Sequence, residues 1–220
     1  MSYSIAIDGP AGAGKSTIAK RIAKELQFIY VDTGAMYRAM AVYFMKHAIE
    51  PGNEAEINNA CEDVDITIEY LNGEQQVILN GENVTPILRT EEVGKMASKT
   101  SVYAKVRSKL VDLQRKLATT ANVIMDGRDI GTTVLPNAEV KIYLTASVDA
   151  RAKRRFEELK EKGENPVYDD IKEDIEKRDY ADMHRENSPL RQAEDAILVD
   201  SSDMTIDEVV EKIISIKKAK

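Results

Sequence analysis

The sequence has little of several residue types, and each shortage excludes a class of protein. A single cysteine, Cys61, rules out an internal disulfide. The absence of tryptophan and the presence of only three phenylalanines give little support for an aromatic platform that stacks single-stranded nucleic acid. No window approaches the ~18 consecutive apolar residues of a membrane-spanning helix, and the N-terminus lacks the basic and apolar segments of a signal peptide. We therefore expect a cytoplasmic protein without a membrane partner.

Positive charge is also scarce. The 220 residues carry 31 Lys and Arg against 38 Asp and Glu, a net charge of −7, and 12 of the bases are Arg. Because binding along a phosphate backbone depends on a broad basic field, we expect no nucleic-acid partner, although a local cluster could bind one small anion. The length predicts one domain with an appendage or two small domains. Nothing in the sequence requires a dimer, so we expect a monomer.

Short apolar runs alternate with helical stretches, a pattern that is typical of a parallel sheet covered by helices. We predict strands at 4–8, 28–31, 123–126, 140–144 and 196–200, and helices at 15–26 and 35–48. Ser147 is a predicted N-cap for a helix that ends at Gly163, and Thr205 with Glu208 forms a predicted capping box. The fold class is therefore α/β.

Residues 64–85 interrupt this alternation. Apolar residues at every second position flank the pairs Asn72-Gly73 and Asn80-Gly81, and Asn-Gly tolerates the positive φ angles of a type I′ turn. The segment predicts a small antiparallel meander inserted into the α/β unit. It is either a surface decoration or a lobe that closes over a ligand.

A phosphate-binding loop follows the first predicted strand. It runs Gly9-Pro10-Ala11-Gly12-Ala13-Gly14-Lys15-Ser16-Thr17 and leads into an amphipathic helix, which is the strand, loop and helix context that the G-x-x-x-x-G-K-S motif requires. Its glycines allow backbone N–H groups to converge on phosphate oxygens at a helix N-terminus. Lys15 would bridge the β and γ phosphates of a bound nucleotide, and the Ser16 hydroxyl would bind Mg²⁺.

The loop leaves the phosphoryl acceptor open, because water, a protein, a sugar or another nucleotide would all be compatible with it. No N-K-x-D motif of the guanine-specific GTPases occurs. Asp126, at the end of a predicted strand, could hold Mg²⁺ through water, or Asp126-Gly127 could be a simple turn.

Three further motifs follow the loop in order, Asp32-Thr33-Gly34-Ala35-Met36-Tyr37-Arg38, Asp126 to Thr132, and Arg178-Asp179-Tyr180-x-Asp182-x-x-Arg185. With the loop they resemble the bacterial cytidylate kinases, which transfer the γ-phosphoryl group of ATP to CMP or dCMP in pyrimidine nucleotide metabolism. The resemblance extends from about residue 3 to the C-terminus and includes the inserted strands. It implies a three-layer P-loop kinase fold with a five-stranded parallel sheet, a small antiparallel insert and a short helical lid.

The resemblance also assigns domains and contacts. The core P-loop domain would comprise 1–32, 86–148 and 187–220, the monophosphate-binding region 33–85 with its insert at 64–85, and the lid with its flanking helices 149–186. The acceptor phosphate would contact Thr33, Arg38, Arg128 and Arg185. The cytosine would contact Ser98, Arg107 and Asp129, and the ribose would contact Arg178 and Asp182. Lys15, Arg128 and the lid residues Arg154 and Arg155 would be catalytic. The family often has Ser where Thr33 stands, and the hydroxyl is retained.

Several of these residues have a second interpretation. The i, i+4, i+7 spacing of Arg178, Asp182 and Arg185 places them on one helical face, where a surface salt-bridge ladder is equally common. The basic stretch 151–162 could be a solvated helix face instead of a lid. Asp129 could be a general base for a hydroxyl acceptor, whereas a monophosphate needs no base and leaves Asp129 able to accept a hydrogen bond from the cytosine amine.

Two rival functions stay open. One is a P-loop kinase for a different monophosphate. The other is a regulatory or RNA-associated module that binds ATP without turnover, for which the acceptor-side residues would have no use.

Overall fold

The computed structural model describes residues 2–219, which form two compact units. The first unit extends to Tyr30 and resumes at Thr120, and the second comprises Val31–Thr119. The predicted core segment 86–148 is thus divided, with residues 86–119 in the second unit. The functional roles assigned to the predicted domains stay predictions.

Residues 2–219 contain eight strands and eight α-helices, with a 3₁₀-helix at Thr85–Ile87 and a π-helical turn at Ile130–Val134. The strands are β1 (Ser4–Asp8), β2 (Ile29–Asp32), β3 (Ile66–Leu71), β4 (Glu74–Leu79), β5 (Glu82–Asn83), β6 (Val123–Gly127), β7 (Val140–Thr145) and β8 (Ile197–Asp200). The helices are α1 (Lys15–Leu26), α2 (Thr33–Lys46), α3 (Glu54–Asp63), α4 (Glu91–Thr100), α5 (Ala104–Thr120), α6 (Val148–Glu161), α7 (Tyr168–His184) and α8 (Ile206–Ala219). None of these helices combines the length and apolar character needed to cross a bilayer.

The larger sheet has the strand order β2-β6-β1-β7-β8, and the predicted five-stranded parallel sheet is confirmed. β1 is central, since Ile7 pairs in parallel with Asp126 of β6 on one side and with Ile142 of β7 on the other. The order reverses direction at β1, and ligands of open α/β sheets bind at the carboxyl ends of the strands at such a point. The phosphate loop begins there, directly after Asp8.

A hydrophobic core in the first unit joins this sheet to α1 and α8. Ile5 and Ile7 of β1, Ile22 of α1 and Ile213 of α8 are fully buried within it. In β1 four of five residues and in β7 four of six are buried, including consecutive residues, so side chains on both faces of these strands are covered, as in parallel sheets generally. This packing gives the phosphate loop a rigid base.

The helix signals in the sequence are confirmed with small shifts in boundaries. The Ser147 hydroxyl accepts the Ala150 N–H at 3.1 Å, Gly163 follows α6 with φ +81°, and Thr205 and Glu208 bond reciprocally. Helix α2 begins two residues before the predicted Ala35, because the carboxylate of Asp32 accepts the Ala35 N–H at 2.9 Å and caps it. This early start places Thr33 in the first turn.

The predicted meander is a three-stranded antiparallel sheet in the second unit, with the order β3-β4-β5. Ile66 pairs with Leu79 and Ile68 with Val77, so the alternating apolar residues share one face. Both Asn-Gly pairs have positive φ at both positions, 54° and 80° at Asn72-Gly73 and 48° and 83° at Asn80-Gly81. The turn chemistry therefore sets this register.

The two Asn-Gly turns differ in what their asparagine side chains contact. Asn80 accepts the Asp65 N–H at 2.6 Å and donates to the Asp63 carbonyl at 3.1 Å, whereas Asn72 lies at the tip of the β3–β4 hairpin. We expect Asn80→Ala to lower the free energy of unfolding by about 1–2 kcal/mol more than Asn72→Ala, because each lost hydrogen bond is worth about 1 kcal/mol. Urea unfolding of both variants measures this, and the shared cost of alanine at positive φ cancels. Equal losses would contradict the assignment.

Candidate active site

The phosphate loop depends on glycine at its first position. Gly9 has φ +150°, and a Cβ added there would lie 1.9 Å from the Leu144 carbonyl oxygen. Gly12 and Gly14 have φ +76° and +83°, in the left-handed region that favours glycine. No side chain caps the N-terminus of α1, where Gly14 is the cap residue. The loop thus presents backbone N–H groups and a helix N-terminus, as phosphate binding requires.

Lys15 is almost fully buried at the base of this loop. Its side chain donates to the Pro10 carbonyl at 2.6 Å, and 6% of the residue is exposed. Burial, reinforced by the positive charge of Arg128, holds the pKa of Lys15 well below its ordinary value, although nearby carboxylates including Asp126 and Asp8 oppose this. Because negatively charged phosphate oxygens favour the protonated form, a bound nucleotide would raise the pKa of Lys15 and keep its ammonium group charged.

Ser16 and Asp126 form a pair of oxygen ligands next to Lys15. The Ser16 hydroxyl donates to Asp126 Oδ2 at 2.9 Å, and the Tyr30 hydroxyl donates to Oδ1 at 2.8 Å. A hydroxyl beside a buried carboxylate is the kind of donor set that Mg²⁺ accepts. Residues 2–219 contain no group of three or more His, Cys, Asp or Glu that could hold a metal, so phosphate oxygens and water would complete such a coordination shell.

Asp8 is a site residue that the sequence reasoning missed. Its carboxylate accepts the Ile130 N–H at 2.8 Å and the Gly131 N–H at 2.7 Å, and only 5% of the residue is exposed. Burial, together with the negative charge of Asp129, raises the pKa of Asp8 to about 6 against these hydrogen bonds. Asp8 thereby fixes the turn that carries Arg128 and Asp129. The sequence feature that could have identified Asp8 is its position at the end of the strand that leads into the phosphate loop.

Within the first unit, three of the arginines predicted to contact the acceptor interact with Asp182. Arg128 Nε donates to Asp182 Oδ2 at 2.7 Å, and Arg185 Nη1 lies 3.9 Å from Oδ1. Burial opposes ionisation of Asp182, but Arg128 and then Arg178 and Arg185 hold its pKa below the ordinary value. Arg185 Nη2 also lies 3.7 Å from Asp129 Oδ1. The structure therefore brings these five predicted residues into one charged cluster.

The helical placement of this cluster differs slightly from prediction. Helix α7 contains Arg178 and Asp182 but ends at His184, and Arg185 is its C-cap residue in an extended conformation. Arg185 Nε donates to the Ser188 carbonyl at 2.8 Å. The prediction of one continuous helical face was wrong for Arg185, because the chain leaves the helix there.

The predicted residues Thr33 and Arg38 lie together in the second unit. Thr33 is 3% exposed and starts α2. The side chain of Arg38 folds back over this helix N-terminus, since a Cβ added at Gly34 would lie 3.1 Å from Arg38 Nη1. A buried hydroxyl, a guanidinium group and a helix N-terminus at one place form a set that suits an anion.

Ser98 and Arg107 are connected through Ser101 in the same unit. Arg107 Nη1 donates to the Ser101 carbonyl at 3.1 Å, and the Ser101 hydroxyl donates to the Ser98 carbonyl at 3.1 Å. Arg107 is 5% exposed and its guanidinium carbon lies 5.5 Å from the centre of the Tyr37 ring. Ser98 is exposed on α4.

Arg151 contacts the phosphate loop, whereas the sequence analysis predicted Arg154 and Arg155 of the same basic run as lid residues. Arg151 Nη1 donates to the Ala11 carbonyl at 2.9 Å, and its guanidinium group makes a bidentate pair with Asp179 at 2.5 and 3.1 Å. Arg154 donates to the Ser201 carbonyl at 2.5 Å, and Arg155 pairs with Glu158 at 2.9 Å. The lid role of Arg154 and Arg155 stays a prediction.

Asp8→Asn should remove one pH-dependent contribution to stability. With a pKa of about 6 in the folded protein and an ordinary value of 3.8, Asp8 binds its proton more tightly when folded. The contribution of Asp8 to wild-type stability should therefore rise by up to about 3 kcal/mol as the pH falls from about 6 to about 4, and it is read as the difference between wild type and variant. Asparagine does not titrate, so this contribution should disappear in the variant.

Urea unfolding at several pH values between 4 and 7.5 measures the effect. Asp149→Asn is the control, because Asp149 is exposed and its pKa is lowered by Lys172, below this range. Parallel curves for wild type and Asp8→Asn would contradict the assignment.

Comparison with known proteins connects this site to one family. The cytidylate kinase family model matches residues 5–219. The cytidylate kinase of Lactobacillus johnsonii is 52% identical over 216 residues, which cover 98% of this chain and 94% of that protein. The cytidylate kinase of Caldicellulosiruptor bescii is 51% identical over 213 residues, which cover 97% and 94%.

Solved structures bear on the fold alone. An uncharacterized protein of Eubacterium ventriosum has a TM-score of 0.58 at 13% identity, with both chains fully covered. A gluconokinase from Sinorhizobium meliloti has a TM-score of 0.50 at 13% identity, covering 97% of this chain and 90% of that one. These agree with the predicted P-loop kinase fold. Because the family model and relatives about half identical to it match almost the whole chain, the chain belongs to the cytidylate kinase family.

Proposed function

We propose that the protein transfers the γ-phosphoryl group of ATP to CMP or dCMP, giving ADP and CDP or dCDP. The observation that carries the proposal is the charged cluster around Asp182, which supplies cations beyond those of the phosphate loop. A kinase with a hydroxyl acceptor needs a general base. A kinase with an anionic acceptor needs positive charge at a second phosphate, and three arginines around one carboxylate fit that demand.

The donor side follows from the phosphate loop. Residues 9–17 would bind the ATP phosphates, with Lys15 leaving its contact with the Pro10 carbonyl for the β and γ phosphates. Ser16 and Asp126 would hold Mg²⁺ together with the nucleotide, Asp126 through water, and Mg²⁺ would supply positive charge to the phosphate oxygens. Arg154 and Arg155 would reach the transferring group after exchanging their present contacts with Ser201 and Glu158.

On the acceptor side, we assign contacts with the CMP phosphate to Thr33, Arg38, Arg128 and Arg185. CMP carries a phosphate whose second pKa is about 6, so it is already an anion at neutral pH. The reaction then depends on positioning and charge neutralisation, not on proton removal. Arg178 and Asp182 would contact the ribose.

Base selection is assigned to Ser98, Arg107 and Asp129. The buried carboxylate of Asp129 can accept a hydrogen bond from the exocyclic amine of cytosine, a donor that uracil lacks. Arg107, held between Tyr37 and the Ser101 carbonyl, presents further donors. A cytoplasmic location and a monomeric state stay predictions of the sequence.

An acceptor panel tests the function. In a coupled assay of ADP release, CMP and dCMP should support turnover well above that with UMP, AMP or shikimate. UMP lacks the amine that would bind Asp129, and a missing hydrogen-bond partner for a buried polar group costs about 1–3 kcal/mol. AMP has a larger base, and shikimate carries no phosphate for the arginines. Faster turnover with UMP or AMP would refute the base assignment. ATP binding without turnover on any acceptor would favour the regulatory module.

Two substitutions test the division into donor and acceptor sides. Arg178→Ala should lower kcat/KM for CMP by about ten- to a hundredfold, the loss of a charged hydrogen bond, and leave the Kd for ATP within about twofold. Lys15→Ala should reduce transfer about a hundredfold or more with every acceptor.

Lys177→Ala is the matched control, because Lys177 neighbours Arg178 on α7 and pairs with Glu173 at 2.6 Å on the helix surface. Titration calorimetry with ATP and steady-state kinetics with CMP separate the two sides. Similar losses of ATP affinity in the Arg178 and Lys15 variants would show that the division is wrong.

A further inference from the structure

One side chain of the antiparallel sheet in the second unit makes two hydrogen bonds to the residue that precedes Thr33. Gln75, on β4, uses both ends of its carboxamide on a single residue. Its Oε1 accepts the Asp32 N–H at 2.9 Å, and its Nε2 donates to the Asp32 carbonyl at 3.2 Å. The side chain thus replaces a partner strand at the end of β2.

Asp32 is held by two further hydrogen bonds from other elements. Its Oδ1 caps α2 through the Ala35 N–H at 2.9 Å, and its Oδ2 accepts from Arg89 Nη2 at 2.9 Å. With Gln75, the backbone and the side chain of this residue are both fixed, and only 8% of it is exposed. The orientation of the first turn of α2 therefore depends on the contacts of Asp32.

We propose that Gln75 is a positioning residue for the acceptor nucleotide, which it aligns by fixing Asp32 and hence the adjacent Thr33 and Arg38. The inference rests on the proposed function, in which these two residues contact the CMP phosphate. The inserted sheet is then neither a surface decoration nor solely a closing lobe, because it supports the acceptor-binding turn. A shift of about an ångström in such a turn is enough to weaken binding.

The chemistry of the contact selects a carboxamide. Asp32 presents one donor and one acceptor, and a carboxamide matches both. An ionised carboxylate of the same shape can accept from the N–H but faces the Asp32 carbonyl with a second acceptor, which leaves that carbonyl unsatisfied and repelled. A protonated carboxyl group has one O–H donor and one acceptor and would match Asp32 again.

Gln75→Glu and Gln76→Glu form a matched pair for the test. Gln76 is the next residue of β4, is similarly half-buried, and accepts from Asn83 at 3.1 Å within the same small sheet. Both substitutions add the same charge to the same strand. Only the first should raise the KM for CMP, by about tenfold, the cost of one lost hydrogen bond with an unsatisfied partner. The KM for ATP should stay within about twofold in both.

A pH series separates positioning from simple destabilisation. At pH 7.5 the introduced carboxyl is ionised, and at about pH 5 it becomes partly protonated, since its ordinary pKa is about 4.3 and partial burial raises it. The ratio of the KM for CMP between Gln75→Glu and wild type should therefore shrink towards one at low pH. The protonation of the CMP phosphate affects the KM of wild type and variant alike, so it cancels in this ratio. A general loss of stability would lower the fraction of active enzyme, and hence the apparent kcat, without a selective change in the KM for CMP.

Gln75→Met, which keeps the length but supplies neither donor nor acceptor, gives the answer if the charged variant does not fold. Wild-type turnover is measured first, and its absence with CMP would overturn the proposed function. If wild type is active and the Gln75 variants match Gln76→Glu, or raise both KM values equally, the positioning role of Gln75 is overturned while the proposed function stands.

Discussion

The buried carboxylate of Asp8 is the interaction on which the first unit's site depends. It lies at the end of the central strand, where the chain turns into the phosphate loop, and binds two backbone N–H groups of a turn 122 and 123 residues later in sequence. The turn carries Arg128 and Asp129, so one side chain fixes two residues of the proposed acceptor site relative to the phosphate loop. A raised pKa is the energetic consequence of burying this charge. The site keeps it because no apolar residue could bind those two donors.

Arg151 and Asp179 are a second pair of buried charged groups that hold the phosphate loop in place. The two residues form a bidentate ion pair, and Arg151 is only 3% exposed and Asp179 9%. Removing such a buried pair from water is costly. Here Arg151 also donates to the Ala11 and Ala146 carbonyls, so its donors are used. Asp179 adjoins Arg178 on α7. The phosphate loop and the helix that carries the proposed ribose contacts are therefore held by one ion pair, and removing one partner would leave the other charge buried.

The sequence predicted what local chemistry determines, and missed what distant contacts determine. β1 and α1 match their predicted bounds to the residue, because the motif defines both ends. The Asn-Gly turns, Ser147 and the Thr205 capping box are confirmed for the same reason. Asp8, Arg151 and Gln75 were missed, since their partners lie 122, 140 and 43 residues away. Arg154 and Arg155 looked equivalent to Arg151 in sequence, and only the turn of α6 on which each falls distinguishes them.

The ion pairs of the first unit explain how arginines can be concentrated at one site of a protein that has few positive charges overall. Arg128, Arg151 and Arg185 each face a carboxylate of the first unit, so these cations are balanced within the protein. An anionic ligand that binds Arg128 and Arg185 must compete with Asp182 and Asp129, which a single weak anion does poorly. A phosphate with two charges and several acceptor oxygens competes better, particularly when a sugar hydroxyl can satisfy the displaced carboxylate. In the proposed function, pairing arginines with carboxylates would therefore favour a nucleotide over a bare anion, although the protein has a net charge of −7.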